Sequence, residues 1–176
     1  MMKTGRSILS TIGVVAALAV TMLIVHSCGI YSFTGTSIQP DVESITINYF
    51  DYQALKVNPS LSNDLTVALQ DKFLKLTKLE QVDMDGDLEI AGAVTGYDVK
   101  ATAITANEQA AQNRLTVTVK IIFKNNKHEE EDFEKSFAAY QDYDSNLSLD
   151  AVEAQLVDEI VEILVEDIFN ATVANW

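Results

Sequence analysis

The sequence predicts a two-layer α+β domain over residues 44–176, in which two helices cover one face of a four-stranded mixed sheet. Two stretches repeat apolar residues at helical spacing, and four shorter stretches alternate apolar and polar residues as half-buried strands do. The elements follow one another in the order β-α-β-β-β-α. A sheet with one apolar face needs a covering layer, which two amphipathic helices provide.

Residues 1–27 are predicted to be a lipoprotein signal peptide, because two basic residues precede an apolar run that ends just before the only cysteine. The run from Ile12 to Val25 is shorter than the roughly 20 residues of a spanning helix. Val25-His26-Ser27-Cys28 resembles a bacterial lipobox, so Cys28 is the expected site of lipidation. An ordinary secretion signal with a chance cysteine, or an uncleaved anchor, is the alternative interpretation.

Residues 28–43 are predicted to be an acylated tether, because they are mostly small and polar and contain Gly35 and Pro40. A single acyl chain binds a membrane only marginally, whereas two or three chains attach a protein almost permanently. The same lipid anchor would occupy the cysteine, so the domain must fold without a disulfide.

The first half of the domain is predicted to contain one strand and one helix. Ser44 to Phe50 alternates, with Ile45, Ile47 and Tyr49 on its apolar face. Asn58 and Pro59 are typical of a helix start, as cap and first helical residue. The helix is expected over residues 60–78, and its apolar stripe comprises Leu61, Leu65, Ala68, Leu69, Phe73 and Leu76.

A second strand is predicted from Leu88, parallel to the first and reached through the helix by a right-handed crossover. Its apolar residues change parity near Gly96, which indicates a β-bulge or a sharp twist. Residues 102–112 have no clear period and are predicted to form a loop.

Two further strands are predicted to continue the sheet as an antiparallel meander. Arg114 to Lys124 alternates most clearly, and Glu129 to Tyr140 is expected to return after a hairpin at residues 125–127. Phe133, Phe137 and Ala139 are expected on the buried face of the return strand.

The last element is predicted to be a long acidic helix that begins near Ser148 and continues for some 22 residues. The chain contains no lysine or arginine after Lys135, so this helix would not be attracted to an anionic lipid surface. Its expected apolar stripe comprises Leu149, Val152, Leu156, Ile160, Ile163, Leu164 and Ile168.

The residues indicate a protein that is not an enzyme. Of the two histidines, His26 lies in the predicted signal peptide and His128 in a predicted turn. No Cys/His cluster with zinc-ligand spacing and no glycine-rich phosphate loop occurs in the sequence. The formal net charge of −14 argues against nucleic acid as a partner. A small hydrolase, the alternative, would require a concave pocket with a perturbed acid or base.

Several short stretches of the chain together resemble a known family. The lipobox leading into Cys28-Gly29-Ile30-Tyr31-Ser32-Phe33-Thr34-Gly35, the strand over residues 45–50, the helix over 61–79, and Asp87-Leu88-Glu89-Ile90 through Gly96-Tyr97 resemble the LptE lipopolysaccharide-assembly lipoproteins of Bacteroidetes-type bacteria. The resemblance implies two helices on a small mixed sheet, without cofactor or catalysis. It also implies an outer-membrane lipoprotein, with its domain on the periplasmic side, that occupies and supports the β-barrel LptD and binds lipopolysaccharide.

Lipopolysaccharide phosphates would require cations, and Arg114, Lys120 and Lys124 share one face of the predicted third strand. These three residues are therefore the candidate lipopolysaccharide contact. The alternative is an exposed face whose cations pair with carboxylates of residues 130–134. A lipid-anchored periplasmic scaffold, or an accessory subunit of another envelope complex, is the rival function, and the partner distinguishes the two.

Overall fold

The computed structural model describes residues 38–102 and 112–173, which lie in one compact unit. The predicted signal peptide over residues 1–27, the lipidation site Cys28 and most of the predicted loop 102–112 lie outside the described residues. The elements are β1 (Ser44–Ile47), β2 (Asp51–Tyr52), α1 (Leu61–Leu76), β3 (Glu80–Gln81), β4 (Leu88–Thr102), β5 (Gln112–Asn125), a 3₁₀ turn (Glu129–Glu131), β6 (Phe133–Asp144) and α2 (Leu149–Val173).

The predicted fold class is confirmed, because two helices pack on one mixed sheet. The strand order is β3-β1-β4-β5-β6, and β2 also pairs with β4. β1 runs parallel to β4, as predicted, and β4, β5 and β6 form the predicted antiparallel meander. The described residues contain six strands instead of the predicted four. The additional strands β2 and β3 have two residues each, too few for alternation to be visible in the sequence.

The prediction of one strand over residues 44–50 was wrong at its end. β1 stops at Ile47, Tyr49 is 62% exposed, and Phe50 is fully buried instead. The register explains the exchange: Ile47 is opposite Ile90, but Asp51 is opposite Ala93, so this segment contains one residue more than β4 over the same distance. One extra residue reverses which side chains face the core.

The predicted change of face in β4 is confirmed as a bulge. The register with β5 shifts between Val94 and Gly96, so that Thr95 has no partner of its own. Ile90, Val94 and Tyr97 therefore all face the helices, although a regular strand would place Tyr97 on the other side.

The connection between β5 and β6 is longer than the predicted hairpin, and β6 begins at Phe133 instead of Glu129. The Asn125 side-chain oxygen accepts hydrogen bonds from the backbone N–H groups of Lys127 and His128, each at 3.0 Å. The Asn125 N–H donates to Asp132 Oδ1 at 2.8 Å, across the 3₁₀ turn. These side-chain bonds stabilise a wider turn than two residues would allow.

Both predicted helices exist, with shifted ends. α1 begins at Leu61, and Asn58 Oδ1 accepts hydrogen bonds from the N–H groups of Ser60 and Leu61 at 3.2 and 3.1 Å. α2 has 25 residues, and Ile163 of its predicted stripe is 39% exposed. Phe73 of α1 packs edge-on against Phe169 of α2, with ring centroids 5.0 Å apart. Neither helix of the described ranges combines the length and apolarity needed to cross a membrane.

Candidate functional site

The face of the sheet that points away from the helices is the first candidate surface, and we call it the open face. It consists of the side chains of β4, β5 and β6 that alternate with the buried residues. Small residues occupy its centre, where Gly96, Thr118 and Ala138 lie opposite one another on adjacent strands. Charged residues lie toward both ends of the strands, so a partner would meet a flat centre between two polar margins.

Arg114 lies at one margin of the open face, directly opposite Asp142 on β6. Its Nε and Nη2 atoms donate to the two carboxylate oxygens of Asp142 at 2.7 and 2.9 Å. The guanidinium also lies 3.7 Å from the centroid of the Tyr140 ring. The hydrogen bond from Arg114 lowers the pKa of the Asp142 carboxyl below its ordinary value, so this pair is charged and internally neutralised.

The other two predicted contact residues lie toward the opposite margin. Lys120 forms an ion pair with Glu134 of β6, with its Nζ 2.5 Å from Oε1. Lys124 is opposite Glu89 in the register, but no ion pair involving Lys124 occurs among the described residues. Lys124 is thus the member of the predicted set whose charge is most accessible to an external anion.

The three predicted residues therefore share a face but do not converge on one point. Six residues separate Arg114 from Lys120, which corresponds to about 20 Å along a strand, and Lys120 lies about 13 Å from Lys124. Lys100 is opposite Arg114 on β4 and adds a fourth cation at the Arg114 margin. Strand alternation could identify the shared face, but not the pairing with Asp142, which depends on the register of β6.

Acidic residues connect the segment before β1 to the residues that precede β4 and follow β5. Asp87 Oδ2 accepts hydrogen bonds from the N–H groups of Glu43 and Ser44 at 2.9 and 3.2 Å. Asp41 Oδ1 lies 3.1 Å from His128 Nε2, and this contact raises the pKa of the imidazole above its ordinary value. His128 lies in the predicted turn region, and its contact across the chain was not visible in the sequence.

A cluster of polar side chains joins β4, α2 and the segment before α1, and we call it the polar cluster. It consists of Tyr52, Asn58, Tyr97 and Glu153. The Tyr97 hydroxyl donates to Glu153 Oε1, which also accepts from Asn58 Nδ2 at 3.2 Å. Burial, followed by the hydrogen bond to Glu153, raises the pKa of the Tyr97 phenol well above its ordinary value. Because these groups form hydrogen bonds with one another, the polar cluster connects β4, α2 and the segment before α1.

In residues 38–102 and 112–173, no group of three or more His, Cys, Asp or Glu side chains is placed to hold a metal ion. The perturbed carboxyl groups at Asp142 and Glu166 are instead hydrogen-bonded to Arg114 and Lys72.

The domain matches a known protein family over nearly its whole length. A family model described as LptE, lipopolysaccharide-assembly, matches residues 42–172, which extend from just before β1 to the last turn of α2. Among curated proteins, none shows significant sequence similarity to this chain.

Solved structures resemble the fold at low sequence identity. An uncharacterized lipoprotein B from Nitrosomonas europaea has a TM-score of 0.51 at 12% identity, with 72% of this chain and 79% of that chain covered. A hypothetical protein from Chlamydia trachomatis has a TM-score of 0.50 at 9% identity, with coverage of 76% and 99%. Rare lipoprotein B from Shewanella oneidensis has a TM-score of 0.44 at 11% identity, with coverage of 72% and 89%. At such identities the first two similarities concern the fold alone.

Proposed function

The chain belongs to the LptE lipopolysaccharide-assembly family, and from this premise we propose that it is an outer-membrane lipoprotein that binds and supports an LptD-like β-barrel during lipopolysaccharide transport. The observation that carries the proposal is the family match over residues 42–172, which includes every strand and nearly all of both helices. The proposed role is a binding role that uses the whole domain, without a catalytic centre.

The proposed anchor is Cys28, acylated after removal of residues 1–27, with residues 28–43 as the connection to the domain. The hydrogen bonds from Glu43 and Ser44 to Asp87 fix the point at which this connection enters the sheet. Two or three acyl chains would then hold the domain at the membrane permanently. The proposed location is the outer membrane, with the domain on the periplasmic side.

We propose the open face as the lipopolysaccharide contact, with Arg114, Lys120 and Lys124 as its cations. Arg114 and Lys120 already pair with carboxylates, so a phosphate must compete with Asp142 and Glu134 for them. Lys124 has no such competitor among the described ion pairs and is the strongest of the three candidates.

The first experiment identifies the partner. The full-length protein with a C-terminal tag is purified from detergent-solubilised outer membranes, and the proteins that accompany it are identified. A large β-barrel in about equal amount is the expected result. A set of other envelope proteins without a barrel would contradict the proposal and favour the rival role of a periplasmic scaffold or accessory subunit. Cys28→Ala is the matched control, which is expected to lose membrane attachment.

A second experiment tests the lipid contact directly. Lys124→Ala is compared with Lys135→Ala, which removes a cation from the same sheet but beside the Phe137 ring instead of on the open face. Binding of lipopolysaccharide to the purified protein is expected to weaken only for Lys124→Ala. Equal binding by both variants would exclude Lys124 from the contact.

A further inference from the structure

The two helices form a second surface, on the side of the helix layer that faces away from the sheet. A groove of about 560 Å³ runs between α1 and α2. Its floor is apolar and consists of Val67, Ala68, Val161 and Val165. We call this surface the helix groove.

The floor of the helix groove is incompletely covered. Val161 and Val165 are only 7% and 5% exposed, but Val67 is 47% exposed on the outer side of α1. An apolar side chain from a partner could cover Val67 and remove it from water, which favours association. The groove thus offers Val67, beside the half-buried Ala68, as an apolar contact for an amphipathic segment.

Acidic residues form the margin of the helix groove, and the four carboxylates that line it outnumber the two lysines. The two lysines that line it are already engaged, since Lys75 pairs with Asp71 at 3.4 Å and Lys72 pairs with Glu166. Within the described ranges, Asp64, Asp158 and Glu162 have no cationic partner. The whole of α2 contributes seven carboxylates and no lysine or arginine, so Lys72 and Lys75 of α1 are the cations that line the groove within the described residues.

We infer that the helix groove binds a cationic amphipathic segment of the protein partner. One apolar side chain of that segment would cover Val67, while lysine or arginine residues beside it would face Asp158 and Glu162. Charge complementarity of this kind increases the rate and specificity of association. The inference rests on the proposed function for the identity of the partner, which is then a segment of the LptD-like barrel.

Two other occupants fit the charges less well. A second copy of this chain, packed groove to groove, would place one acidic margin against another, and like charges across an interface are strongly unfavourable. An anionic lipid head group would meet the same repulsion. A cationic segment of another protein is therefore the occupant that the charges and the apolar floor favour together.

The test uses a photo-reactive amino acid, p-benzoylphenylalanine, placed at Val67 in the full-length protein in cells. The same group at Tyr140, which is 51% exposed on the open face, is the comparison. A cross-link from Val67 to a lysine- or arginine-rich segment of a β-barrel is expected. A barrel cross-link from Tyr140 but not from Val67 would overturn the inference and leave the proposed function standing. The absence of a barrel cross-link from both positions, together with no co-purifying barrel, would overturn both.

Charge reversal provides the second measurement. Asp158→Lys combined with Glu162→Lys is compared with Glu129→Lys combined with Glu130→Lys, which reverses two exposed charges on the 3₁₀ turn. All four residues are exposed, so folding is expected to be retained and is checked by thermal unfolding. The groove variant should reduce the co-purifying barrel at least about tenfold at low salt, whereas the control should not. Equal recovery by both variants, or a Val67 cross-link to a second copy of this chain, would overturn the inference.

Discussion

The polar cluster permits a quantitative prediction, because one oxygen atom can be removed from its centre. Tyr97 is 3% exposed, and its hydroxyl donates to the carboxylate of Glu153. Tyr97→Phe keeps the ring, and hence the packing of β4 against the helix layer, but leaves Glu153 with only the Asn58 amide at 3.2 Å. The substitution therefore tests the hydrogen bond separately from the apolar contact.

The expected loss of stability follows from the type of bond. A hydrogen bond to a charged group contributes about 1.5–3 kcal/mol. Glu153 is half-buried and can recover some hydration, so we expect a value near the lower limit, about 2 kcal/mol. For a domain of this size that loss lowers the Tm by roughly 6 °C.

The assay is urea unfolding at pH 7, with Tyr140→Phe as the control, because Tyr140 is 51% exposed on the open face. Glu153→Gln and the double variant complete a cycle, whose coupling energy should be about 1 kcal/mol or more. If Tyr97→Phe changed the free energy of unfolding no more than Tyr140→Phe does, the polar cluster would not connect these elements energetically.

The same residue predicts a pH dependence. The pKa of Tyr97 is raised in the folded protein, so the unfolded chain releases this proton first as the pH rises past the ordinary value of 10.0. Stability should therefore decrease above pH 10, and Tyr97→Phe should show a smaller decrease. Thermal unfolding between pH 8 and about pH 11 measures both slopes; parallel slopes would contradict the explanation.

Three further predictions concern other parts of the domain. Gly86→Ala should destabilise the fold by about 1–3 kcal/mol in urea, because the new Cβ would lie 2.6 Å from the backbone nitrogen of Thr46. His128→Gln should remove a pH-dependent contribution to stability. Asp41 raises the pKa of His128, so their contact stabilises the fold below about pH 6.5 and is lost as the pH rises through the folded pKa. Thermal unfolding of both proteins across this pH range measures the contribution. Phe73→Ala should cost about 3–5 kcal/mol in urea, because the ring is fully buried between the helices and the sheet.

Each of these predictions has its own control. Gly96→Ala should cost less than Gly86→Ala, because the nearest atoms to its Cβ belong to the Thr118 side chain, at 3.1 Å, and not to the backbone. The pH explanation fails if wild type and His128→Gln keep a constant difference in Tm from acidic to alkaline pH. A loss below about 1 kcal/mol for Phe73→Ala would mean that neighbouring side chains fill the space, contrary to the close packing inferred.

The spacing of apolar residues in the sequence was sufficient to predict the buried face of regular strands and helices. The alternation from Arg114 to Lys124 placed Leu115, Val117, Val119, Ile121 and Phe123 on the buried face, and all five are at most 2% exposed. The change of parity near Gly96 correctly indicated the bulge of β4. The apolar stripes of both helices could also be read from spacing, except at Leu76 and Ile163, which are 46% and 39% exposed, because a side chain's direction along a helix depends on its own backbone.

The sequence by itself thus determined the α+β class, the parallel arrangement of β1 and β4, the antiparallel meander, and the face shared by Arg114, Lys120 and Lys124. Only the tertiary structure decided that Phe50 replaces Tyr49 in the core, that Arg114 pairs with Asp142, and that Asp41 meets His128. The apolar floor and the excess of acidic over basic residues around the helix groove also appear only when α1 lies beside α2. These features depend on the register and distance between segments that are far apart in the chain. Packing of the whole core sets both quantities, and the local spacing of apolar residues does not predict them.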